Sequence, residues 1–124
     1  MDVIARWKQV AEAQDAAGLH DLLAEEAVFH SPVVHTPQRG RAVTSRYLNA
    51  AFDVLFNEHF RYAGEWRAER SAVLEFLTEI EGIAIDGVDI ISWDEEGRIV
   101  EFKVMVRPLK AMDVLRRKMA ERLA

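Results

Sequence analysis

Three observations predict an α+β fold with a mostly antiparallel sheet. The stretch from Asp86 to Arg107, D-G-V-D-I-I-S-W-D-E-E-G-R-I-V-E-F-K-V-M-V-R, sets two strand-like runs around Asp94-Glu95-Glu96-Gly97, whose glycine can take the φ > 0 position of a hairpin. Two further runs before it, His59 to Arg67 and Ala72 to Glu81, alternate with a period of two. Short turns join these strands, which favours antiparallel pairing. Helix-period stretches are grouped ahead of the strands, with one more behind, the order of an α+β protein. With 124 residues and no internal repeat or low-complexity linker, residues 1–124 read as one domain with one core.

Residues 2 to 17 are expected to be a helix with Val3, Trp7, Val10, Ala11 and Gln14 along one stripe. Gly18 fits a helix stop, and Leu19 to Glu25 a second short helix with Leu19, Leu22 and Leu23 inward. Ala27 to Pro32 is a short strand ended by its proline, and Val33 to Arg39 a loop. Gly40 opens a third helix, to about Phe56, with Val43, Tyr47, Ala51 and Leu55 on one face. In the strands, Phe60, Tyr62, Gly64 and Trp66 share a face, as do Leu74, Phe76, Thr78 and Ile80. Pro108 stands at the first position of a last helix carrying Leu109, Met112, Leu115 and Met119 inward. Its basic run Arg116-Arg117-Lys118 suits the negative end of the helix dipole.

Half the residues are hydrophobic and 30% are charged, an ordinary globular balance. A net charge of −5, with arginines scattered among acids, argues against a nucleic-acid partner. The absence of cysteine excludes disulfides, thiolate chemistry and cysteine-rich zinc sites. No stretch approaches a ~20-residue apolar span, and the charge-interrupted start is unlike a signal peptide, so the expectation is a cytoplasmic protein without a membrane partner.

Asp89 stands out within the hairpin. Alternation places it with Ile91 and Trp93 on one face of its strand, while Val100, Phe102, Val104 and Val106 share a face of the next. If those sets face the same side, a carboxyl lies among aliphatic and aromatic groups, and it needs a raised pKa or a polar partner. The alternative is a solvated or arginine-paired aspartate near a strand end.

The segments A-E-E-A-V-F-H-S-P at 24–32, G-R-A-V at 40–43 and V-D-I-I-S-W-D-E-E-G-R-I-V-E at 88–101 resemble the nuclear transport factor 2-like superfamily, which includes SnoaL-like polyketide cyclases and ketosteroid isomerases. The element order is similar over nearly the whole chain. The resemblance implies a cone-shaped α+β barrel: a strongly curved, mostly antiparallel sheet wrapped on the N-terminal helices around an apolar cavity. It also implies a homodimer packed through the convex sheet face. The helix after Pro108 is extra to the ketosteroid isomerase pattern, either plugging one end of the cone or swapping onto a partner.

The protonated oxyanion-hole aspartate of ketosteroid isomerases falls on Asp89, in agreement with the strand pattern. Their general base falls on Ser31 and their hydrogen-bonding tyrosine on Trp7, so one part of three is kept. A neutral serine is no base unaided. The last-strand aspartate of SnoaL-like cyclases and limonene epoxide hydrolase-like proteins falls on Val104. These matches imply a pocket for an apolar small molecule, with or without cofactor-free proton transfer: isomerisation, cyclisation or dehydration of a carbonyl compound, Asp89 being the buried acid. The alternative is a ligand-binding or dimerisation module without chemistry.

His30 and His35 bracket Ser31-Pro32 at the expected cavity mouth, and histidine suits proton transfer near neutral pH. Alternation sets His30 and Ser31 on opposite faces. A serine-histidine-aspartate hydrolase is disfavoured because Ser31 is in no nucleophile elbow. A metal site from His30 and His35 lacks helical spacing and a third ligand. Trp7, Tyr47, Tyr62, Trp66, Phe76, Trp93, Phe102, Val104 and Val106 are the expected ligand-facing side chains, aromatic and aliphatic surface for a flat apolar compound.

Overall fold

The computed structural model describes residues 2–124. The elements are α1 (Val3–Ala13), α2 (Ala16–Leu22), β1 (Leu23–His30), β2 (Gln38–Arg39), α3 (Arg41–Leu55), β3 (Arg61–Arg67), β4 (Ser71–Ile80), β5 (Ile83–Trp93), β6 (Ile99–Arg107) and α4 (Leu109–Leu123). The sheet runs β2-β1-β6-β5-β4-β3. Every neighbouring pair is antiparallel except β1 with β6. This is the α+β architecture expected, with the extra C-terminal helix, but β2 and β3 are free edges and the sheet does not close on itself. All four helices and the inner faces of β1, β4, β5 and β6 contribute to a single apolar cluster.

The first helix is shorter than its apolar stripe suggests. Asp2 caps α1 by accepting from the Ala5 N–H at 2.9 Å, and Gln14 ends it in a left-handed conformation, φ 50°. Asp15 then caps α2, accepting from the Gly18 N–H at 3.0 Å. Gly18 therefore lies inside α2 instead of stopping a helix. A Cβ there would sit 2.4 Å from the Asp15 carboxylate, so the glycine is what lets this cap close. The chain turns to strand already at Leu23, and the two-residue β2, which pairs with Val28 and Phe29, was expected to be loop.

Two bulges change which side chains face inward. On β3, Tyr62 pairs with Phe76 but Gly64 pairs with Glu75, so Ala63 is the extra residue and the alternation reverses beyond it. On β6, Ser92 pairs with Glu101 and Trp93 with Ile99, leaving Val100 unopposed. Ile99 and Phe102 are consequently buried, and Val100 drops out of the inner row. The β4–β5 turn has φ > 0 at both Glu81 and Gly82, the twist that suits a two-residue hairpin. Facing Phe76 across the sheet, Gly87 leaves room for its ring: a Cβ there would lie 2.4 Å from Phe76 Cζ.

α4 buries Ala111, Val114, Leu115 and Met119. Leu109, expected inward, is 72% exposed, because Pro108 is the N-cap and the helix starts one residue late. Among the described residues no helix is long and apolar enough to cross a membrane.

Candidate ligand site around a buried aspartate

Ile85, Gly87, Asp89 and Ile91 form the inner row of β5. Leu74 and Val104 flank Asp89 on the adjacent strands, and both are buried. Asp89 is 6% exposed and has no arginine partner; Arg107 pairs instead with Asp86, at 3.6 Å on the other face. Its hydrogen bond comes from the Tyr62 hydroxyl, which donates to Asp89 Oδ2 at 2.9 Å. Trp7 Nε1 in turn donates to the Tyr62 oxygen at 2.9 Å. Burial pushes the Asp89 carboxyl up to about 7, against the opposing effect of the Tyr62 bond. Burial, and then the neighbouring Asp89 charge, pushes the Tyr62 phenol well above its ordinary value.

Asp89 borders a void with Trp7, Phe52, Phe60, Phe76 and Phe102 around it. The void is about 20 Å³, room for roughly one water. A second void of about 20 Å³ lies beneath α4, bordered by Phe29, Ser31, Pro32, Leu115 and Met119. Ala51, Leu55 and Val104 border both voids. Outside lies a recess of about 380 Å³ lined by Lys8, Glu12, Gln14, Phe56, Asn57, Phe60 and Tyr62. Phe56 and Phe60, stacked at 3.9 Å, line both the recess and the Asp89 void and form the wall between them.

The other expected site residues fall in different places. Trp7, Phe76, Phe102 and Val104 border the Asp89 void, and Tyr62 reaches it through its hydroxyl. Ser31 borders the second void, its Oγ accepting from the Val33 N–H at 3.1 Å. Tyr47 is half-buried against Phe29, and Trp93 and Val106 are half-buried against the core; none of the three borders either void. Trp66 is a correction: the Ala63 bulge turns it to the outer face, where it is 60% exposed beside Val73. His30 also faces outward, with Nε2 at 2.9 Å from Glu101 Oε2, and His35 is exposed in the segment after β1. Neither histidine borders the Asp89 void. Among the described residues, no cluster of three or more histidine or acidic side chains is placed to hold a metal ion.

Phe52, Phe56 and Phe60 were missed as site residues. The four-residue spacing of the three phenylalanines was the available signal, but Phe52 and Phe56 lie off the stripe assigned to α3. On the outer sheet face, strand pairing sets Trp66, Val73, Ile90, Lys103 and His30 in one row. Gly64, Glu75, Val88 and Met105 form the next, with Met105 51% exposed.

Residues 4–102 match the family model of the SnoaL-like domain. Among solved structures, a steroid delta-isomerase from Pseudomonas aeruginosa is 38% identical with a TM-score of 0.92, covering 98% of this chain and 88% of that one. A conserved bacterial protein with a cystatin-like fold from Silicibacter pomeroyi is 32% identical with a TM-score of 0.89, covering 97% and 84%. An NTF2-like protein of unknown function from Mesorhizobium loti, 23% identical with a TM-score of 0.73 over 86% and 88%, shares the fold. No curated protein matches in sequence.

Proposed function

The chain belongs to the SnoaL-like family, and on that premise we propose that it holds an apolar carbonyl compound in its interior and exchanges a proton with it through Asp89. The observation carrying this reading is a buried carboxyl, raised to about 7, at the edge of an aromatic-walled void. A group with that pKa is available as acid and as base near neutral pH, the condition under which general acid–base catalysis works best. Its ionised form can take the proton from the carbon next to the carbonyl, the electron pair passing to the carbonyl oxygen. The resulting carboxylic acid can return that proton to another carbon, so an isomerisation balances without a cofactor. Tyr62 holds Oδ2, leaving Oδ1 for the ligand. The isomerase relative from Pseudomonas aeruginosa supports reaction class more than substrate. The void beside Asp89 by itself holds roughly one water, so the ligand occupies the joined space formed when Phe56 and Phe60 turn aside and open the void to the recess of about 380 Å³.

A second reading, a binding module without chemistry, is favoured by the two histidines pointing away and by serine at position 31, where the resembled isomerases carry their base. A carboxyl-carbon NMR titration, with Asp89→Asn to assign the signal, separates them. A raised Asp89 pKa that shifts again on adding flat carbonyl compounds, together with deuterium exchange into those compounds, supports proton transfer. A shift without exchange leaves the binding module, and an ordinary pKa sinks both roles for Asp89.

We also propose a homodimer through the outer sheet face. Its centre is apolar, with Trp66, Val73, Ile90, Val88 and Met105, and Glu75, Asp86, Lys103 and Arg107 supply both signs of charge for a self-complementary contact. Sedimentation of Trp66→Lys against the native protein tests it. A native monomer at micromolar concentration ends the proposal.

A further inference from the structure

We propose that Trp7 is a positioning residue: by donating to Tyr62 it fixes the direction of the Tyr62–Asp89 hydrogen bond and keeps the proton of Asp89 on Oδ1. This goes beyond the proton transfer proposed above and is decided in the ligand-free protein, so it stands or falls separately from that reading. The indole N–H is a donor only, with no lone pair to offer in return. Trp7 Nε1 lies 2.9 Å from the Tyr62 oxygen, so that oxygen must accept. Conjugation with the ring gives the phenolic hydrogen two favoured directions. Aimed at Trp7 it would meet another N–H; aimed at Asp89 Oδ2, also at 2.9 Å, it meets an acceptor. The Tyr62 hydroxyl is thereby committed to donating. Trp7 is held in place by burial, its ring packed 5.4 Å from that of Phe52 and 4.7 Å from that of Phe102. Lys8 stands 5.7 Å from the Tyr62 ring centroid, but its ammonium is bonded to Glu65 at 2.7 Å, which leaves the hydroxyl to Trp7 and Asp89.

A carboxylic acid whose Oδ2 accepts a hydrogen bond carries its proton on the other oxygen. Protonated Asp89 therefore keeps its O–H at Oδ1, unspent on the protein and available beside the void that Asp89 borders. Without the Trp7 N–H, the Tyr62 hydroxyl is free to reverse and accept from Oδ2–H. The acid's proton is then held by Tyr62 and lost to a ligand. Trp7 also strengthens the donor, because an N–H on the phenol oxygen polarises its O–H toward the carboxylate. Both effects favour the ionised form, so they work against the burial that pushes Asp89 up to about 7. Since its one N–H is used on Tyr62, Trp7 does not bond a ligand itself; its effect on binding passes through Asp89.

Infrared difference spectra of the ligand-free protein, taken below and above about pH 7 with Asp89→Asn as the assignment control, read where the proton sits. In the native protein the carbonyl oxygen of the acid is Oδ2, and the Tyr62 bond lowers its stretching frequency. Trp7→Phe should raise that frequency, because the carbonyl becomes the unbonded Oδ1. It should also raise the Asp89 pKa by about half a unit to one unit, the worth of one neutral hydrogen bond. On a Tyr62→Phe background Trp7→Phe should move neither, since Trp7 acts through that hydroxyl. A repacking effect would move both in either background. Should Trp7→Phe not fold, replacing Trp7 by benzothienylalanine, its sulfur isostere, removes the N–H and keeps the ring's shape, and the same two changes are expected. An unmoved stretch in the folded variant, equal changes with and without the Tyr62 hydroxyl, or no Asp89 acid band below about pH 7 overturns the proposal. If the stretch moves as expected while no carbonyl compound binds, the role of Trp7 survives and the proposed reaction falls.

Discussion

The Tyr62 hydroxyl donates to Asp89 Oδ2 at 2.9 Å, joining two residues on different strands. The bond favours the ionised carboxylate and is the force opposing burial there. Tyr62→Phe should therefore raise the Asp89 pKa further, read by carboxyl-carbon NMR. It also strips Trp7 Nε1 of its acceptor, at about 1–3 kcal/mol of stability. A pKa that falls or stays fixed would show that the bond does not govern the carboxyl.

Asp89 should also make stability depend on pH. Its pKa is about 7 in the folded protein against 3.8 ordinarily, so between those values the folded state holds a proton that the unfolded chain has released. The stabilisation from the raised pKa is fully present below about pH 4, fades as pH rises, and is gone above about 7. Compared with Asp89→Asn, the native protein should lose on the order of 4 kcal/mol across that window. Urea denaturation at closely spaced pH values measures it; parallel profiles for the two proteins would contradict a buried, protonated Asp89.

Gly87 and Phe76 form a second close relationship. A methyl group at 87 would meet the Phe76 ring at 2.4 Å and the Met105 carbonyl oxygen at 2.9 Å. Gly87→Ala should cost about 1–3 kcal/mol through overpacking. Because the Met105 contact is to backbone, Phe76→Leu in the same chain should recover only part of that loss. Full recovery would assign the whole strain to the ring.

The histidines offer a negative control. His30 is held outside by Glu101 and His35 lies in an exposed segment, so His30→Ala and His35→Ala should leave carbonyl-compound affinity within about twofold of native. Phe60→Ala, by contrast, opens the wall between the recess and the Asp89 void and should speed ligand entry, at a cost to stability of up to ~3 kcal/mol. Stopped-flow binding would separate these effects, and equal entry rates for native and Phe60→Ala would place the route elsewhere.

Local chemistry wrote the element order into the sequence: the alternation from Leu74 to Ile80, the Asp94–Gly97 loop, and Asp89 between Gly87 and Ile91 are period-two signals that hold wherever a strand is regular. The inward placement of Asp89 was legible for that reason. The inward or outward placement of Trp66 and Val100 was not, because single-residue bulges at Ala63 and Val100 reverse parity, and a bulge depends on the neighbouring strand's register. The link from Trp7 through Tyr62 to Asp89 joins a helix and two strands, which only the packed sheet brings together. The split of the interior by Leu55 and Val104, and its closure by α4, likewise follow from side-chain packing across elements. Periodicity assigns faces within one element; which faces meet, and how much space they leave, is set by tertiary packing.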